Sequence, residues 1–131
     1  MKPWTDYLID SKKIDSIYHV DKPSLDEIDV HELIFHRDGP KISIIFNLKE
    51  YPSKPPQKWA VQKFNVVQIK LSLIDIECVD MSGWVDTTYT AYVNIHKIDG
   101  LIHFNLNGTN LKLSLRAMFM DVESITAYMK N

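Results

Sequence analysis

Three dipeptides constrain this chain more than any other feature: Asp38-Gly39, Asp99-Gly100 and Asn107-Gly108. Each joins residue types that tolerate positive φ, and each interrupts an alternating apolar run, which is the pattern of a two-residue hairpin turn. A turn fixes the register on both its sides, so each can be tested by whether like side chains meet. A turn at Asp99-Gly100 sets Ile98 against Leu101, His96 against His103 and Ile95 against Phe104. A turn at Asn107-Gly108 sets Phe104 against Leu111, Ile102 against Leu113 and His103 against Lys112, and keeps the same face of the shared strand apolar. Asp38-Gly39 sets Phe35 against Ile42 and Leu33 against Ile44.

The agreement predicts a three-stranded antiparallel meander over about 88–98, 101–107 and 109–118. Val93, Ile95, Ile102, Phe104, Leu106, Leu111 and Leu113 face inward, while Tyr92, Asn94, His96, His103, Asn105, Asn110, Lys112 and Ser114 face outward. Further strand is marked by Val67, Ile69, Leu71 and Leu73, after which the apolar parity changes to Ile74, Ile76 and Cys78, predicting a β-bulge or strand break near Leu73-Ile74. Ser11 is positioned to cap a short helix carrying Ile14, Ile17 and Tyr18, and Asp121 to cap another carrying Val122, Ile125, Tyr128 and Met129. The three prolines and three lysines between Lys49 and Trp59 read as a long loop. Fifteen Ile and nine Val against four Ala favour the pleated state throughout. The expected fold is α+β, predominantly antiparallel β: a twisted meander sheet of about six to seven strands with short N- and C-terminal helices. One domain is expected over residues 1–131, long enough to bury roughly two thirds of the unfolded surface.

Charge narrows the function classes. Fifteen basic against seventeen acidic residues give a net charge of −2, without the basic excess of a nucleic-acid binder. The single Cys78 has no internal disulfide partner, the start Met-Lys-Pro-Trp-Thr-Asp lacks a signal peptide's apolar run, and no apolar stretch approaches the roughly 18 residues of a membrane span. A cytoplasmic protein without nucleic-acid or membrane partners is expected. His96 and His103 face each other on the outward side, but their neighbours Asn94, Asn105 and Lys112 are poor metal ligands. His31 and His36, five apart on one strand, are expected on opposite faces. The chain contains no GxSxG, GxGxxG, GxxxxGK or HExxH, and four glycines leave little for an anion-cradling loop. No catalytic residue, metal site or cofactor is expected, and the chain is read as a non-enzyme.

The interval 71–96 holds no Lys or Arg, yet carries Asp75, Glu77, Asp80 and Asp86 interleaved with Trp84, Tyr89 and Tyr92. Aromatic anchors beside one sign of charge suit a protein-binding patch, because the aromatics bury area at low entropic cost while the charge steers a basic partner. A solvated acidic edge with Trp84 in the core is the alternative. The polar face of Tyr92, Asn94, His96, His103 and Asn105 is a second candidate recognition surface, suited to a protein partner or to sugar hydroxyls. The partner-binding candidates are therefore Asp75, Glu77, Asp80, Trp84, Asp86, Tyr92, Asn94, His96 and His103.

The order of elements resembles the immunity protein 50 family of bacterial polymorphic toxin systems. The carrying residues are Lys22-Pro23-Ser24-Leu25, Val30, Leu33 and Phe35 before Arg37-Asp38-Gly39, Pro55-Pro56 with Lys58-Trp59, Val66 to Leu71, Ile74-Asp75-Ile76, and Ser82-Gly83-Trp84. The resemblance spans about residues 10 to 128. The family pattern also has a Tyr before a Cys; no Tyr lies just ahead of Cys78, so no site is transferred from that motif. The resemblance implies a small α+β protein that binds and neutralises a cognate toxin. The competing expectation is a non-catalytic β module that recognises a glycan or peptide on its polar sheet face.

Overall fold

The computed structural model describes residues 3–131. Six antiparallel strands, β1 (Ile28–His36), β2 (Lys41–Asn47), β3 (Val66–Gly83), β4 (Thr90–Ile98), β5 (Leu101–Gly108) and β6 (Leu111–Tyr128), form one closed barrel in the order β1-β2-β3-β6-β5-β4. Two meanders, β1 to β3 and β4 to β6, are joined by the long β3–β6 ladder. The ring is shut by a short seam in which β1 meets β4 through Ile28 opposite Ala91 and Asp29 opposite Thr90. A 3-10 turn (Trp4–Tyr7), helix α1 (Lys12–Tyr18) and helix α2 (Gln57–Val61) complete the elements.

The Asp99-Gly100 and Asp38-Gly39 registers are as expected: Ile95 opposes Phe104 and His96 opposes His103, while Leu33 opposes Ile44 and Phe35 opposes Ile42. The Asn107-Gly108 register differs. Asn107 opposes Lys112, Leu106 opposes Leu113 and Phe104 opposes Leu115, so the chain reverses at Thr109-Asn110, two residues beyond the expected turn. The offset from the expected pairing is even, and a strand repeats every two residues, so every side chain keeps its face. Phe104, Leu106, Leu111 and Leu113 are all buried.

Helix α1 follows Ser11 and buries Ile14, Ile17 and Tyr18 in the barrel core, although the Ser11 hydroxyl donates to the Asp15 carboxylate rather than capping a backbone N–H. The expected C-terminal helix is corrected: residues 121–128 continue β6. Val122 and Ile125 sit at helical spacing, but here Glu123 is an extra residue between Val122 (opposite Leu71) and Ser124 (opposite Lys70). A bulge inserts one residue and so lets an odd spacing occupy one face of a strand, which imitates helical periodicity. The parity change in β3 is present, spread over two features: Asp75 at φ 58°, and a register shift between Ile76 and Cys78. The strand bends and does not break. Another bulge between Val30 and Glu32 corrects the histidine expectation, since it turns both His31 and His36 outward, toward Asn47 and Ser43 respectively. The proline-rich loop contains the short α2, whose Trp59 and neighbouring Tyr51 pack against the core at a ring separation of 6.4 Å.

Candidate functional site

Four strands lay out one outer face. From β3 to β6, Cys78 opposes Arg116, Asp80 opposes Ser114 and Ser82 opposes Lys112. From β6 to β5, the same residues oppose His103, Asn105 and Asn107. From β5 to β4, these oppose His96, Asn94 and Tyr92. Opposed residues share a face, so the ladder carries continuous polar rows, Cys78-Arg116-His103-His96, Asp80-Ser114-Asn105-Asn94 and Ser82-Lys112-Asn107-Tyr92. Their neighbours in sequence, Leu113, Leu115, Phe104 and Leu106, fill the barrel and hold the face rigid.

The rows are tied internally. The His96 and His103 rings stack at 5.4 Å with 14° between planes. Ser114 Oγ donates to Asn105 Oδ1 at 2.8 Å. Arg116 Nε donates to Cys78 Sγ at 3.0 Å and its Nη2 lies 3.2 Å from Glu77 Oε1, and these two partners raise the guanidinium pKa above its ordinary value. Asp80, Ser82, Asn105, Asn107, Lys112 and Ser114 line a cleft of about 240 Å³. Asp80 enters no ion pair among the described residues. The arrangement presents fixed hydrogen-bond donors and acceptors of mixed charge on a rigid sheet, which suits polar recognition. No cluster of three or more His, Cys, Asp or Glu able to hold a metal ion occurs among the described residues.

The structure brings Asp80, Tyr92, Asn94, His96 and His103 onto this one face, joining the acidic segment to the polar face. Glu77 reaches its margin through Arg116. Asp75 is exposed beyond the rows, at the bend. Asp86 is spent locally, accepting from Asn110 Nδ2 at 2.9 Å and from the Thr87 N–H at 2.7 Å. Trp84 is 40% exposed and stacks on Tyr89 at 4.3 Å, so it braces the β3–β4 loop with one side open to solvent. Sequence reasoning missed Arg116, although Lys112, Ser114 and Arg116 share one parity along β6.

A second polar cluster, also missed, lies on the outer face of β2, β3 and β6. Glu123, the bulged residue, accepts from the Ser72 hydroxyl, from Lys41 at 2.9 Å and lies 3.1 Å from Lys70. These partners, Ser72 foremost, hold its carboxyl down to about 2. Its groups are mutually satisfied, so it reads as a pin across three strands.

The model of the family described as Immunity protein 50 matches residues 10–128. The chain belongs to that family. No curated protein and no solved structure matches it. In this immunity protein the Gly83-Trp84 pair has a local structural role. Gly83 has φ 98° and lies where the Asn110 carbonyl leaves no room for a Cβ, and the Trp84 N–H donates to that carbonyl at 2.8 Å. No helix of the described residues of this immunity protein is long and apolar enough to cross a membrane.

Proposed function

We propose that this immunity protein neutralises a cognate toxin of a bacterial polymorphic toxin system by direct contact through the outer face of β3, β6, β5 and β4, acting in the cytoplasm as one non-catalytic domain. The observation that carries the reading is the row Asp80-Ser114-Asn105-Asn94, in which an acid free of ion pairs meets a polar sheet surface. Family membership supplies the toxin as the kind of partner. An inhibitor of this kind needs a rigid surface of roughly 1,600 Å² shared between partners, with a few aromatic or charged anchors. Asp80, Tyr92, Asn94, His96 and His103 are the contact residues, with Asp75 and Glu77 steering a basic partner and Trp84 and Asp86 shaping the adjoining loop.

The test is co-expression with the toxin encoded beside this gene, followed by co-purification and a growth assay. A stoichiometric complex and rescued growth are expected; a toxin that neither binds nor is silenced refutes the reading. The cleft beside Asp80 favours a second reading, a module for a glycan or peptide, which requires binding to the isolated ligand without a toxin.

A further inference from the structure

β3 outruns its neighbour β2. The ladder between them ends at Lys41 opposite Ile74, and the Ile76 N–H is taken by the Pro40 carbonyl at 3.1 Å. Glu77 is the extra residue at the register shift, and from Cys78 to Gly83 β3 is paired on one side only, by β6. The Trp84 N–H donates to Asn110, so residues 84, 82, 80 and 78 direct their backbone groups at β6 in the alternating pattern of an antiparallel pair. The same alternation turns the N–H and C=O groups of Val79, Met81 and Gly83 outward, away from every strand of the barrel. Every residue from Glu77 to Gly83 is exposed. Val79 at 40% and Met81 at 37% present apolar side chains along this edge, and Trp84 continues it.

An open edge of this length is a template for strand addition. Its occupant is constrained by charge. A second copy of the chain, paired antiparallel about this edge, brings the Asp80 and Glu77 of the two copies close together across the ladder, where like charges oppose association. A strand carrying lysine or arginine meets Asp75, Glu77 and Asp80 with opposite charge, and its apolar alternate positions lie over Val79 and Met81.

We infer that β3 from Glu77 to Gly83 docks an extended, basic strand of the toxin, which joins the sheet beside the polar face. This rests on the toxin-binding reading and adds the mode of contact: up to about six main-chain hydrogen bonds from Val79, Met81 and Gly83.

The test is amide hydrogen exchange on the whole protein, with the toxin encoded beside the gene as one probe and a synthetic peptide of alternating lysine and valine as the other. With toxin bound, the Val79, Met81 and Gly83 amides are expected to slow by at least about tenfold. Met81→Pro removes one outward N–H and leaves the β6 ladder intact, so it is expected to weaken toxin binding about tenfold. Met81→Leu, which keeps the N–H, is expected to bind like the native chain. A toxin that binds with those amides unchanged overturns the edge and leaves immunity standing. A toxin that does not bind refutes immunity instead, and the peptide then decides: protection at the three amides upholds the edge, and its absence overturns it.

Discussion

The Asn110 carbonyl oxygen occupies the space a Cβ on residue 83 would need, so the ends of β3 and β6 meet only because Gly83 is a glycine. Gly83→Ala adds that clash to a φ of 98°, which L side chains rarely adopt. It is expected to lower stability by roughly 2 kcal/mol in denaturant unfolding. The Trp84–Tyr89 stack next to it is expected to loosen, visible as a change in tryptophan fluorescence.

Phe104 is 1% exposed and opposes Leu115 and Ile95 inside the barrel. Phe104→Ala is expected to cost roughly 3 to 5 kcal/mol through lost burial and the residual cavity. Asn105→Ala, one residue away on the outer face, is expected to change stability by less than about 1 kcal/mol. Urea melts of the two variants check the face assignment.

Glu123 has a pKa of about 2 in the folded chain against an ordinary 4.5. Its lowered value means that the folded state binds this proton less tightly than the unfolded state. The stabilisation is therefore present above the unfolded value and is lost as pH falls from about 4.5 toward 2. Glu123→Gln is expected to reduce stability at neutral pH and to flatten its decline across that window, read from melts at a series of pH values.

The acids differ in what reversal should do. Asp80→Lys alters a side chain free of ion pairs and is expected to slow association with the toxin about tenfold at low salt, leaving thermal stability unchanged. Glu77→Lys also frees Arg116 from its carboxylate partner. Asp86→Lys removes the acceptor of Asn110 and Thr87 and is expected to disturb the loop before it disturbs binding. Stopped-flow association at two salt concentrations separates the three.

The inward set of the β4 to β6 meander was legible because turns and alternation reinforce each other, and an even error in one register leaves faces untouched. What alternation conceals is the bulge. Glu123 makes Val122 and Ile125 look helical, and the bulge in β1 reverses the relation of His31 to His36. The polar face was half legible: Tyr92, Asn94, His96 and His103 follow from one hairpin. That Asp80 lies across from them depends on β3 pairing β6, a contact between distant segments that no turn encodes.

The barrel is also a ring with one weak link. Ile28 with Ala91 and Asp29 with Thr90 act as a clasp, whereas β3 and β6 grip each other along their length. Under tension such a ring parts at the clasp and lies open as a band in unchanged strand order. The surface from Cys78 across to His96 runs out to β4, whose Thr90 and Ala91 are half of the clasp, so opening the ring frees that one margin while the rows stay paired from β3 through β6 and β5 to β4.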